Sequence, residues 1–285
     1  MNKQEFDYII IGGGSSGCVL AGRLSENPQV SVFLLEAGGA GEGWKVEVPC
    51  AAVISIPTKI NNWAFETVPQ KGLNGRKGYQ PRGKCLGGSS AINAMVYIRG
   101  HRQDYDDWAA LGNTGWSYDE VLPYFIKSEN NQRIKNQYHG NAGPLSVIDL
   151  RSDNPLQQKY IAAAKEQGYR ILDDFNGEEQ EGLGVYQVTH INGERCSSAR
   201  AYLFPHRDRK NLTVETHAQT QRILIENGVA VGVEYKQGGQ LKQIFARREV
   251  LLSAGAMQSP QILMLSGVGD QQELAQHGIE VKQHL

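Results

Sequence analysis

Asp7-Tyr8-Ile9-Ile10-Ile11-Gly12-Gly13-Gly14-Ser15-Ser16-Gly17 is the stretch that decides the fold. Its unbroken apolar run suits a parallel strand covered on both faces. The run ends in Gly12-x-Gly14-x-x-Gly17, and a helix follows with Cys18, Val19, Ala21, Gly22 and Leu24 as its small or apolar residues. Asn27-Pro28 stops that helix. A second apolar strand, Val30 to Leu35, runs into Glu36 and Ala37, with Glu36 nineteen residues beyond Gly17. In this order of strand, turn, helix and strand, Gly12 permits the tight turn and Gly14 admits a pyrophosphate close to the backbone. Gly17 lets the helix pack on the strand, and the phosphates sit at the helix N-terminus. Glu36 is placed to bond both ribose hydroxyls, and its charge repels the 2′-phosphate of NADP. An ordinary Gly-rich turn explains neither the spacings nor the acid. The fold class is α/β and the ligand a dinucleotide, NAD or FAD.

The totals agree. Hydrophobic residues make up 40% and charged residues 21% of 285, a globular mixture that excludes disorder and a coiled coil. The formal net charge is −1 and no Lys/Arg run stands out, which argues against nucleic acid and anionic membrane as partners. Glycine, at 33 residues, exceeds the usual ~7% and clusters in short stretches, as tight turns and close backbone approach require. Cys18, Cys50, Cys85 and Cys196 are scattered, so neither a disulfide framework nor a metal site is expected. Nothing after the Met1-Asn2-Lys3 start is long enough for a signal peptide or a membrane span. The expected location is cytoplasmic, with peripheral attachment to the inner membrane as the alternative.

Beyond Ala37 the chain reads as long ordered loops to about residue 108. One helix is expected over 108–128, from the spacing of Tyr118, Val121, Leu122 and Phe125. A strand over 144–149, a helix over 154–168, and a strand with a short helix over 182–202 follow. Three hairpin-like strands are expected at 211–215, 221–226 and 230–236, with Asn227-Gly228 a strong turn signal. Two further strands are read at 243–247 and 249–253, the second ending in Ala254-Gly255-Ala256.

Two more stretches narrow the ligand. Pro81-Arg82-Gly83-Lys84-Cys85-Leu86-Gly87-Gly88-Ser89-Ser90-Ala91-Ile92-Asn93, continuing through Ala94-Met95-Val96-Tyr97-Ile98-Arg99-Gly100, resembles the first signature of the glucose–methanol–choline oxidoreductases. Gly255-Ala256-Met257-Gln258-Ser259-Pro260-Gln261-Ile262-Leu263-Met264-Leu265-Ser266-Gly267-Val268-Gly269 resembles their second. Asn62-Trp63-Ala64-Phe65, 195–203 and 211–214 are similar to the family as well, so the resemblance covers essentially the whole chain.

The resemblance implies FAD as cofactor. It places the flavin along Arg82, Gly83, Leu86, Gly87, Gly88, Ser89, Asn93, Ala94, Met95 and Val96, and Trp63 near the adenine. Ser15, Ser16 and Ala37 join the dinucleotide turn, Ala254 and Gly255 approach it from the last strand, and Thr220 stands where many relatives have Val with backbone contacts to adenine. It implies a Rossmann-like FAD-binding domain with part of an α+β substrate-binding domain. Expected boundaries are 1–144 and 206–285 for the FAD-binding segments and 145–205 for the substrate-binding part. The implied reaction is oxidation of an alcohol at its CH–OH group, with hydride passing to flavin N5 and electrons to a quinone or similar acceptor rather than oxygen. A choline- or alcohol-type dehydrogenase is favoured.

Relatives are longer, and the resemblance puts their catalytic His beyond Leu285. The chain is therefore expected to be an N-terminal fragment with no catalytic residue of its own; no metal site is expected either. None of His101, His139, His190, His206, His217, His277 or His284 lies at the catalytic position. Asp106-Asp107 and Asp173-Asp174 read as solvated faces and turns. Ser197 and Ser198 lack a nucleophile elbow. Two alternatives stand beside the alcohol reading, a non-catalytic FAD-binding remnant and a hydroxynitrile lyase of the same family.

Overall fold

The computed structural model describes residues 4–285; Met1–Lys3, where the N-terminal reading begins, lie outside the described residues. The chain packs as two compact units, one running up to Asn93 and resuming at Ser197–Leu285, the other Ala94–Cys196. Residues 94–144, grouped above with the cofactor-binding segment, lie in the second unit, and 197–205 lie in the first.

The first unit is built on six strands. They are β1 (Glu5–Ile11), β2 (Val32–Leu35), β3 (Leu212–Glu215), β4 (Ala218–Glu226), β5 (Val229–Gln237) and β6 (Gln240–Leu252), in the order β3-β2-β1-β6-β5-β4. β3, β2, β1 and the end of β6 run parallel; β6, β5 and β4 form an antiparallel meander. The parallel centre is buried on both faces, which is why β1 and β2 have no polar alternation. Ile9, Ile11, Phe33 and Leu35 pack with Val233, Tyr235 and Ile244 on one side. Ile10, Val32 and Leu34 pack with Cys18 and Ala21 on the other. Burying each such side chain contributes roughly 1.5–3 kcal/mol.

Helix α1 (Ser15–Leu24) begins inside the glycine motif rather than after it. The expected strands over 243–247 and 249–253 are one strand, β6. Its register against β1 shifts between Phe6↔Ala246 and Tyr8↔Glu249, a bulge at Arg247-Arg248. The two charges interrupt the apolar pattern without breaking the strand, because both side chains meet the Asp7 carboxylate, at 3.2 and 3.4 Å. β3 pairs parallel to β2, so only β4, β5 and β6 form hairpins. Asn227 (φ 50°) and Gly228 (φ 78°) make the expected turn between β4 and β5.

The second unit holds a four-stranded sheet (Val96–Tyr97, Gln187–Val188, Leu145–Asp149, Glu129–Asn131) and helices Arg102–Ala110, Tyr118–Ser128 and Pro155–Glu166. The single helix expected over 108–128 is two. Gly112 (φ 97°) and Gly115 (φ 86°) turn the chain between them, and Ser117 restarts it in a capping box with Glu120. The last helix starts at the cap Asn154, as its spacing suggests. No helix among the described residues is long and apolar enough to cross a membrane.

Candidate functional site

The C-terminal ends of β1, β2 and β6 open onto a cleft of about 590 Å³ in the first unit. That lies within the ~300–1,000 Å³ usual for small-molecule sites, at the position where open α/β sheets bind ligands.

Gly12 is required twice over. Its φ is 95°, and a Cβ there would lie 2.7 Å from the Ser253 carbonyl oxygen. Gly17 faces inward, where a Cβ would overlap the Gly12 carbonyl oxygen, so α1 can lie this close to β1 only with glycine. The crossing brings the start of α1 into the cleft. Its N-cap, Gly14, supplies no side-chain cap, and no acidic residue stands in the first turn. The first N–H groups of a helix need an acceptor from elsewhere, and a pyrophosphate meets that need.

Glu36 directly follows β2 and is 6% exposed. Its Oε2 accepts from the Gly13 amide at 2.9 Å and its Oε1 from Gly38 at 2.8 Å. A carboxylate offers about four lone-pair sites, so each oxygen keeps one for a hydroxyl. Burial pushes the Glu36 carboxyl up to about 7, against the amides of Gly38 and Gly13 and the charge of Lys84, which pull it down. Helix start, glycine cradle and acid together fit a dinucleotide.

The 82–89 segment forms the opposite wall. The Gly87 amide donates to the Gly13 carbonyl at 2.8 Å, and the Gly83 amide to the Ser89 hydroxyl at 3.1 Å. Ser90 ties the segment down, donating to Gly87 and accepting from the Ser198 amide at 2.9 Å. Trp63 stacks on Phe65 with ring centroids 5.6 Å apart, and the Lys84 ammonium lies 4.1 Å over its ring.

The cleft gathers fourteen of the expected residues: Gly12, Gly14, Ser15, Ser16, Glu36, Ala37, Trp63, Arg82, Gly83, Gly88, Ser89, Thr220, Ala254 and Gly255. Gly17, Leu86 and Gly87 support it from behind; Leu86 is core at 5% exposure. Asn93 is exposed at the edge of the first unit, while Ala94, Met95 and Val96 belong to the second. Met95 is buried with a left-handed backbone (φ 61°), and its carbonyl accepts from the Thr189 amide at 2.9 Å.

Other lining residues escaped the sequence reading. Helix α2 (Gln258–Leu265) presents Gln258, Gln261 and Leu265 to the cleft, a spacing of three and four residues that its signature already contained. Gln219 and Gln221 flank Thr220 where β4 shifts register against β5, which no periodicity announces.

Fold and cleft together define a dinucleotide-binding α/β protein. The family model described as GMC oxidoreductase matches residues 6–285, and the chain belongs to that family. It is 44% identical over 291 residues to human mitochondrial choline dehydrogenase, covering 100% of this chain and 49% of that protein. It is 48% identical over 277 residues to an alcohol dehydrogenase (acceptor) of Pseudomonas putida, covering 96% and 50%. Among solved structures, pyridoxine 4-oxidase from Mesorbium loti superposes with a TM-score of 0.93 at 34% identity, covering 98% of this chain and 55% of that one. The chain spans about half the length of the curated relatives it matches.

Proposed function

We propose that this chain provides the FAD-binding framework of an oxidoreductase that acts on the CH–OH group of an alcohol. The carrying observation is that the uncapped start of α1 and the two-amide carboxylate of Glu36 share one cleft. In this reading the α1 amides hold the pyrophosphate, Glu36 takes the ribose hydroxyls, and the 82–89 segment excludes water from the cofactor's other side. FAD, when bound, supplies the hydride acceptor. The residues from Asn93 to Val96 complete the family's flavin-facing stretch in this reading. Choline and simple alcohols are the donor class, from the names of the relatives. The acceptor is a quinone or similar molecule, and the location cytoplasmic, with peripheral attachment to the inner membrane as the alternative.

Incubation with FAD followed by gel filtration tests the cofactor; one flavin retained per chain is expected, and retention of NAD instead of FAD would overturn it. Anaerobic addition of choline or other alcohols to the loaded chain tests its place in the reaction. With no catalytic residue of its own, the chain should leave the flavin coloured with each of them. Bleaching by one of them would identify the donor and overturn the expectation that the base lies outside these 285 residues.

A further inference from the structure

We propose that Asn62 is a positioning residue of the cleft: its carboxamide, bonded to the chain on both sides of Trp63, holds the indole where it forms a wall for the adenine of the dinucleotide. This deepens the reading of the cleft as an FAD site and rests on it.

The backbone around Trp63 departs from a regular strand. Residues 62–66 run antiparallel to 79–83; Asn62 faces Gly83 and Phe65 faces Gln80, which sets Trp63 opposite Arg82. A regular pair at that position exchanges two hydrogen bonds. One is made, the Trp63 amide donating to the Arg82 carbonyl at 2.8 Å. The other is diverted, because the Arg82 amide donates to the Asn62 Oδ1 at 2.9 Å. The Ala64 amide donates to the same oxygen at 3.0 Å. Asn61 (φ 51°) and Ala64 (φ 52°) are both left-handed, one on each side of the Asn62-Trp63 pair. Asparagine visits that region readily, whereas the Cβ of alanine crowds the following carbonyl there. A residue held in this way persists only where its surroundings impose the conformation, and such positions gather at ligand sites.

What imposes it here is a buried side chain. Asn62 is 3% exposed. Its Nδ2 lies among the carbonyls of Ser55, Ile56 and Thr58 and the Tyr79 hydroxyl, at 2.8–3.3 Å. The carboxamide therefore has both its donors and its acceptor oxygen in use. It ties the turn after the short helix Ala52–Ser55 to the chain just past Trp63 and to the strand opposite. Trp63, Arg82 and Gly83 line the cleft and Asn62 does not, so its effect on a ligand passes through Trp63.

The test is the affinity of the 285-residue chain for FAD, read by flavin fluorescence, with urea unfolding measured beside it. Trp63→Leu is expected to weaken binding about fivefold or more, the order that stacking on a base contributes. Asn62→Ala is expected to weaken binding by a similar factor while Trp63 is present. In the Trp63→Leu chain the same change should cost less than about twofold, since no indole is left to place. Ala64→Gly costs little by itself. Added to Asn62→Ala it recovers most of the loss, because glycine adopts the left-handed backbone unaided. Should Asn62→Ala not fold, Asn62→Ser, which keeps an acceptor oxygen, carries the same expectations. A role in stability alone would lower the urea midpoint and weaken binding by one factor with or without Trp63; that result overturns the proposal. So does a loss in Asn62→Ala that Ala64→Gly leaves untouched. If Trp63→Leu binds FAD as tightly as the unaltered chain, the proposal falls and the FAD reading stands. If the unaltered chain binds no FAD, the site reading itself has failed and the proposal falls with it.

Discussion

Glu36 in the first unit and Glu129 in the second are both buried carboxylates, and their surroundings are opposites. Glu129 is fully enclosed, with the Arg99 guanidinium at 2.7 Å and the His139 ring at 2.9 Å. Asn131 donates to it at 2.8 Å and the Gly140 amide at 3.3 Å. The far side of His139 meets Asp174 at 3.0 Å, so the imidazole is clasped between two carboxylates. Burial alone pulls its proton affinity down; the hydrogen bonds to Asp174 and Glu129 outweigh that and push it up to about 9. Glu36 has two backbone amides and, among the described residues, no ion pair. One carboxylate is used up in holding a fold together. The other is stabilised only in part, and the part left over faces a cleft.

The contrast breaks most visibly at Glu129. Glu129→Ala leaves Arg99 buried without its carboxylate and His139 with Asp174 alone, a situation that costs about 3–5 kcal/mol. The Arg99 Nε already lacks a partner among the described residues, so the network has no spare acceptor to offer. Urea unfolding should show that loss; one below about 1 kcal/mol would mean that water reaches the cluster.

Glu36→Gln should move stability the other way. A carboxyl raised from 4.5 to about 7 by burial stabilises the folded state fully below pH 4.5 and loses that contribution as pH rises through 7. Above pH 8 the ligand-free protein therefore carries a penalty on the order of 3 kcal/mol, which Gln removes while giving up one of the two amide hydrogen bonds, about 1 kcal/mol in return. The same change should weaken FAD binding at least about tenfold at that pH, because charge-assisted hydrogen bonds to two hydroxyls are lost. Gain of stability with loss of affinity is the signature of a ligand-binding group. Loss of both would put Glu36 in the class of Glu129.

The pH profile separates the two sites without removing either carboxylate. His139 contributes stability that is fully present below pH 6.5 and is lost as pH rises through about 9. The ligand-free chain should then weaken in two stages on going alkaline, the first from Glu36 and the second from His139. Glu36→Gln should erase the first stage only. His139→Gln should erase the second only, and chemical denaturation at stepped pH would show either.

The two sites were also unequally legible. The cleft is written in short range: an apolar run at Tyr8–Ile11, glycines at 12, 14 and 17, and an acid at 36 are fixed by local backbone geometry and strand length. The hairpin at Asn227-Gly228 is legible for the same reason. The Glu129 network reaches across long stretches of chain, 77 residues in the case of the Arg99 amide on Asn176, and its members are polar side chains in weakly patterned segments. Asp174, read as part of a solvated turn, is instead bonded to His139. Helix spacing misled between residues 108 and 128, where Tyr118, Val121 and Phe125 kept their period while Gly112 and Gly115 carried the break. Those glycines were visible, but their positive φ was not.

Asp7, at the opposite end of β1 from the cleft, gives the smallest effect and sharpens the scale. It accepts from the Ser31 amide at 2.8 Å and hydroxyl at 3.0 Å, and faces Arg247 and Arg248 over the β6 bulge. The Ser31 amide, with Arg247, holds its carboxyl down at about 2. That stability is present above pH 3.8 and is lost as pH falls through 2, the reverse of Glu36. Both arginines are about half exposed, so their attraction is screened and Asp7→Asn should cost only about 1 kcal/mol at neutral pH. The acid limb of the unfolding profile should flatten with it. If Asp7→Asn costs as much as Glu129→Ala, the burial of the cationic partners is not what ranks these carboxylates, and the register of β6 against β1 depends on the bulge more than on the apolar residues beside it.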